Sequence, residues 1–77
     1  MSQANSDKFN ELVSIISAAL NIDPKELTVK SGPESFIQWD SLANVTIYAE
    51  IANKMNPNIS LSEYLNCKEL GDILLLV

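Results

Sequence analysis

DSLANVTIYAEIANKMNPN, residues 40–58, carries the pattern on which the fold turns. Asp40 suits a helix N-cap, Ser41 falls in the first turn, and the apolar pattern runs to about Met55 before Asn56–Pro57–Asn58 stops it. At about 100° per residue, Leu42, Val45, Ile47, Tyr48, Ala49, Ile51, Ala52 and Met55 cover an arc on the order of 220°. A surface helix needs a stripe of only about 100°, so this helix is expected to be touched on more than one side.

Towards the amino terminus, Phe9, Leu12, Val13, Ile16, Ala19 and Leu20 recur at three- and four-residue spacing. Asp7, Asn10, Glu11, Ser14, Ser17 and Asn21 fill the opposite side, and Asn5 or Ser6 can cap the start. This predicts an amphipathic helix over about residues 6–20. In IDPKEL, residues 22–27, Asp23 can cap, Pro24 suits a first helical position and Glu26 completes a capping box, with space for about one turn. TVKSGPESFIQW, residues 28–39, shows no sustained period and contains Gly32–Pro33, so it reads as a long loop pinned by Val29, Phe36, Ile37 and Trp39. Beyond the central helix, ISLSEYL allows a short third helix after Ser60. Asn66 with Glu69 forms a capping box for a fourth. The fold class expected is all-α: a small four-helix bundle, one domain over residues 1–77, with a long loop between the first two long helices.

A chain of 77 residues forms a thin core, and a domain of this size buries about 60–65% of its unfolded surface. Ten carboxylates against five lysines, with no arginine, give a net charge of −5 and argue against a nucleic-acid partner. The acids are scattered and read as the wetted surface of a folded domain. Cys67 has no second cysteine to pair with, MSQANSDKF lacks the build of a signal peptide, and the longest apolar run, ILLLV, is far short of the roughly 20 residues of a membrane span. The expectation is a cytoplasmic monomer with no membrane span.

An enzyme reading starts badly. There is no histidine, no cysteine pair for a metal and no glycine-rich phosphate loop. Glu69 and Asp72 are spaced as a wetted helix face, and Cys67 as a small core residue. Ser41 differs. A serine in a first turn lies beside backbone N–H groups without partners and at the positive end of the helix dipole, which suits a covalent phosphoryl group. On the local residues alone the plainer reading, that Asp40 and Ser41 merely start the helix, is the favoured one.

DSL at the head of an apolar helix, the amphipathic helix upstream, and NISLSEYL then ELGDIL downstream together resemble the acyl carrier protein family over nearly the whole chain. The resemblance implies that Ser41, flanked by Asp40 and Leu42, is the attachment point of 4′-phosphopantetheine. A separate phosphopantetheinyl transferase would supply the arm from coenzyme A, with its own metal and base. The arm's thiol would carry an acyl group as a thioester, so the protein would hold and deliver rather than catalyse. It also implies that the acyl chain can slip between the second and third helices, where the matching positions are Val45, Ile47, Ile51, Met55, Ile59, Cys67 and Leu70. Each of these has an ordinary core reading as well.

The chain departs from carriers of fatty-acid synthesis. Trp39 precedes the aspartate, and Ala43, Thr46, Ala52 and Asn53 stand where acids are usual, leaving Glu50 and a positive Lys54. WDSL is similar to discrete carriers dedicated to one pathway, such as secondary-metabolite, polyketide-type or aminoacyl and peptidyl systems. The partners implied are an acyl- or aminoacyl-activating ligase, a ketosynthase or an acyltransferase-type enzyme, with Trp39, Tyr48 and Glu50 as contact candidates. Two alternatives remain: a carrier-like subunit that is not modified, and a helical adaptor that binds through its apolar faces.

Overall fold

The computed structural model describes the backbone of residues 3–77 and the side chains of residues 7–77. Its elements are α1 (Gln3–Leu20), a 3₁₀ turn (Pro24–Glu26), α2 (Ser41–Lys54), α3 (Leu61–Leu65) and α4 (Leu70–Leu74). The chain is all-helical, with two long and two short α-helices and no strand among the described residues.

α1 begins at Gln3, earlier than its periodicity predicts, and the expected cap at Asn5 or Ser6 lies outside the described side chains. Leu12, Ile16 and Leu20 stack inward, joined by Val13 and Ile15. Ser17, expected on the wet side, is buried, and its hydroxyl keeps a partner by donating to the Ser14 carbonyl at 3.3 Å. Asn21 ends the helix. Its φ of 59° is a left-handed conformation that asparagine tolerates, and it lets the Ile22 N–H reach the Ser17 carbonyl at 3.1 Å.

At the 3₁₀ turn, Asp23 Oδ1 accepts from the Lys25 N–H at 2.9 Å and Pro24 takes the first position. The capping box expected with Glu26 gives way to a backbone bond from the Glu26 N–H to the Asp23 carbonyl, as a tight i→i+3 turn requires. The loop that follows is a series of turns, closed by Ser31 N–H to Thr28 O, Ser35 N–H to Gly32 O and Trp39 N–H to Phe36 O. Trp39 and, in part, Phe36 hold it to the core. Val29 and Ile37, expected to help, are exposed; Ile37 is 96% accessible. The loop is tied instead to α4, whose Leu70 and Gly71 N–H groups donate to the Ser31 and Val29 carbonyls at 2.7 and 2.8 Å.

Ser60 caps α3 as expected, with Oγ accepting from the Glu63 N–H at 3.3 Å. The capping box of α4 is displaced. Asn66 closes α3, Glu69 is the N-cap of α4, and Asp72 accepts from the Lys68 and Glu69 N–H groups at 3.0 and 3.1 Å. Glu69 is extended and the Leu70 and Gly71 N–H groups are bonded to the loop, so the fourth helix starts later and is shorter than its sequence pattern.

α1 packs on α2, on the 3₁₀ turn and on α4. Leu12, Ile16, Ile47, Ile51 and Leu70 are fully buried where these helices meet, each worth about 1.5–3 kcal/mol relative to exposure. α2 is touched over less of its arc than expected. Ile47 and Ile51 face the core, while Leu42, Val45 and Ala49, about 180° away at 100° per residue, face solvent.

Candidate functional site

The start of α2 is built by Asp40. Its backbone is extended and its Oδ1 accepts from the Ala43 N–H at 2.9 Å, which satisfies one of the otherwise partnerless donors of the first turn. Ser41 is the first helical residue and is exposed. Leu42 beside it is 76% accessible and Val45, one turn on, 59%. An uncommitted hydroxyl thus stands on a fixed helix end next to an apolar strip.

Behind this exposed edge lies a polar cluster that periodicity does not reveal. Asn44 Oδ1 accepts from the Trp39 Nε1–H at 3.0 Å and from the Tyr64 hydroxyl at 2.5 Å. Trp39 is 4% accessible and Tyr64 2%, so each donor left unsatisfied costs about 1–3 kcal/mol. An indole N–H can only donate, so the Asn44 atom facing it is the oxygen. Tyr48 ties α2 to α3 and to the segment before it: its ring meets that of Tyr64 at a centroid distance of 5.5 Å, and its hydroxyl donates to the Ile59 carbonyl at 3.0 Å. Burial pushes the Tyr64 phenol well above its ordinary range, Cys67 adds to this, and the contact with Trp39 pulls the other way. Tyr64 therefore stays a donor.

Of the residues expected to receive an acyl chain, Ile47, Ile51, Ile59 and Leu70 are core, and Met55 and Cys67 are half-buried. Val45 is exposed, on the opposite side of α2 from the buried Ile47 and Ile51. Two grooves open elsewhere. One, of about 350 Å³, runs between the loop and the approach to α4, past Lys30, Ser35, Cys67 and Lys68. The other, about 320 Å³, lies between α1 and α2, past Ser14, Ala18, Thr46 and Glu50. Cys67 alone of those acyl-chain candidates lines either of them.

The contact candidates separate in the same way. Trp39, one of these candidates, has its side chain buried in the core. Tyr48 is half-buried, with its hydroxyl engaged by Ile59. Glu50 pairs with Lys54 at 3.2 Å, an i,i+4 pair on the surface worth a few tenths of a kcal/mol at about the usual helix value. Cys67 donates weakly to the Glu63 carbonyl at 3.4 Å; burial, then Asp72 and Glu63, push its thiol up, so it is protonated at neutral pH. Among the described residues no group of three metal-ligating side chains converges, and no helix is long and apolar enough to cross a membrane.

In comparisons with protein-family models, curated proteins and solved structures, nothing matches the chain.

Proposed function

We propose that this protein is an acyl carrier, a small four-helix bundle that bears 4′-phosphopantetheine on Ser41 and passes a thioester-bound intermediate between enzymes of a dedicated pathway. The observation that carries the reading is the exposed Ser41 hydroxyl on a helix end fixed by Asp40. Its neighbours Asp40 and Leu42 are also exposed, and a phosphodiester there lies at the positive end of α2. The residues present therefore fit the group.

Attachment needs only the oxygen from this chain. The Ser41 Oγ bonds to phosphorus, the phosphoanhydride of coenzyme A breaks, adenosine 3′,5′-bisphosphate leaves, and the hydroxyl proton passes to the transferase's base. The arm's thiol then supplies the thioester chemistry. A serine without a histidine is sufficient, because activation belongs to the partner. Glu50 and Lys54 cancel on α2, which supports ligases, ketosynthases or acyltransferase-type partners that dock by shape and apolar contact more than by charge.

The exposed Leu42, Val45 and Ile37 also suit a second reading, an unmodified interaction module. Incubation with coenzyme A and a broad-specificity phosphopantetheinyl transferase, followed by mass spectrometry, separates the two. A carrier gains one phosphopantetheine, and Ser41→Ala gains none while staying folded. A wild-type chain left unmodified by a demonstrably active transferase removes the carrier reading.

A further inference from the structure

Asn44 joins three segments through one atom. Its Oδ1 receives the indole N–H of Trp39 from the loop and the hydroxyl of Tyr64 from α3, while its own N–H donates to the Asp40 carbonyl at 2.9 Å. Trp39 immediately precedes the cap Asp40, and Asp40 precedes Ser41. The entry of the chain into α2 is thus held at its last loop residue, from the inside of the fold, by a side chain that does not itself reach the surface serine.

We infer that Asn44 is a positioning residue for modification of Ser41: by holding the Trp39 indole and tying it to Tyr64, it keeps the helix end in the single form that a transferase accepts. The inference rests on the carrier reading above. A carbonyl oxygen has two lone pairs, and here both are used by buried donors. Removing that oxygen frees the indole and loosens the link to α3, a helix of only five residues. The chain then samples several entries to α2. A transferase that binds one of them sees its apparent affinity fall by the fraction in that form, while turnover from the bound complex is unchanged.

This separates positioning from bulk stability. The variants are Asn44→Leu, which cannot accept, and Asn44→Asp, whose carboxylate can accept both donors and carries a charge favourable near a helix start. Trp39 is the chain's one tryptophan, so its emission reports the indole directly. Expected for folded Asn44→Leu is a KM with the transferase raised about tenfold, equivalent to a bias of about 1.4 kcal/mol against the accepted entry, with kcat kept and Trp39 emission shifted to the red. Asn44→Asp restores both readouts.

A folded Asn44→Leu with wild-type KM, or an Asn44→Asp as defective as Asn44→Leu, overturns the proposal. If Asn44→Leu does not fold, Asn44→Ser, whose hydroxyl is too short to meet both donors, takes its place, and a wild-type KM for it is equally decisive against. Modification of the wild type with an unmoved KM in these variants defeats this inference alone. A wild type that takes no arm defeats the carrier reading and this inference together.

Discussion

Gly32 lies against Lys68 so closely that a Cβ on the glycine would overlap the lysine's backbone carbonyl oxygen. Its φ is not positive, so space rather than backbone conformation requires the glycine. The approach is drawn tight by the flanking bonds from Leu70 to Ser31 and from Gly71 to Val29. Gly32→Ala must push the loop off the approach to α4 and is expected to cost about 1–3 kcal/mol in urea denaturation, the usual scale of overpacking. Gly71→Ala is the control. A Cβ there meets the Val29 carbonyl at 3.2 Å, a few tenths of an ångström too near, and gains helix propensity of about 1 kcal/mol in compensation. Equal losses at the two positions would show that the loop does not dock as described.

Trp39 is buried beside the cap, and its indole N–H donates to Asn44 Oδ1 at 3.0 Å. Trp39→Ala removes a large core side chain and leaves Asn44 with one donor; a loss of about 3–5 kcal/mol is expected. Trp39→Phe keeps most of the packing and should cost distinctly less. Native emission should lie to the blue of the urea-unfolded chain, and an unshifted spectrum would mean that the indole is wet.

The parts of this fold that were legible in the sequence are those fixed by near neighbours. Asp40 caps α2 with its own carboxylate, Pro24 starts a turn that its ring pre-sets, and Ser60 caps α3, so side-chain chemistry within three residues was enough. Asn44 was not legible, because its partners lie five residues before it and twenty after, and nothing in an apolar helix marks one asparagine as internal. The displaced start of α4 has the same origin. Asn66 and Glu69 match a capping pattern, but the loop's backbone bonds to Leu70 and Gly71 decide where the helix begins. Backbone pairing of this kind has no side-chain signature. Ser41 itself was legible as a hydroxyl at a helix start, and its exposure follows from the cap.

Cys67 offers a pH-dependent readout of the packing around α3. Burial and the carboxylates of Asp72 and Glu63 raise its thiol above the ordinary 9.0, so the folded chain holds the proton to higher pH than the unfolded chain. The sign follows: the unfolded chain loses its proton first, and the thiol's contribution to stability is complete below pH 9 and declines as pH rises towards the folded value. Alkylation of the single cysteine should therefore show a higher apparent midpoint in the folded chain than in urea. Coinciding midpoints would mean that the thiol is freely solvated.

The face that α2 presents beside Ser41 leads to the last expectation. Leu42 and Val45 are exposed there, whereas Ile47, on the same helix, is fully buried. Under the carrier reading, Leu42→Ala should weaken productive docking of a phosphopantetheinyl transferase by about 1–2 kcal/mol, read as a raised KM, with little change in folding stability. Ile47→Ala should do the reverse, costing about 2–5 kcal/mol of stability through the cavity it leaves. Salt provides the second axis. The one charge pair on α2, Glu50 with Lys54, is internally balanced, and at 0.15 M ionic strength exposed charges act over only about 8 Å. KM should hence drift by less than about threefold between low and moderate salt, within the small change expected when little net field steers association. A steep loss of affinity with salt, together with a neutral Leu42→Ala, would move recognition from the apolar strip to the remaining exposed acids, with Asp40 nearest the serine.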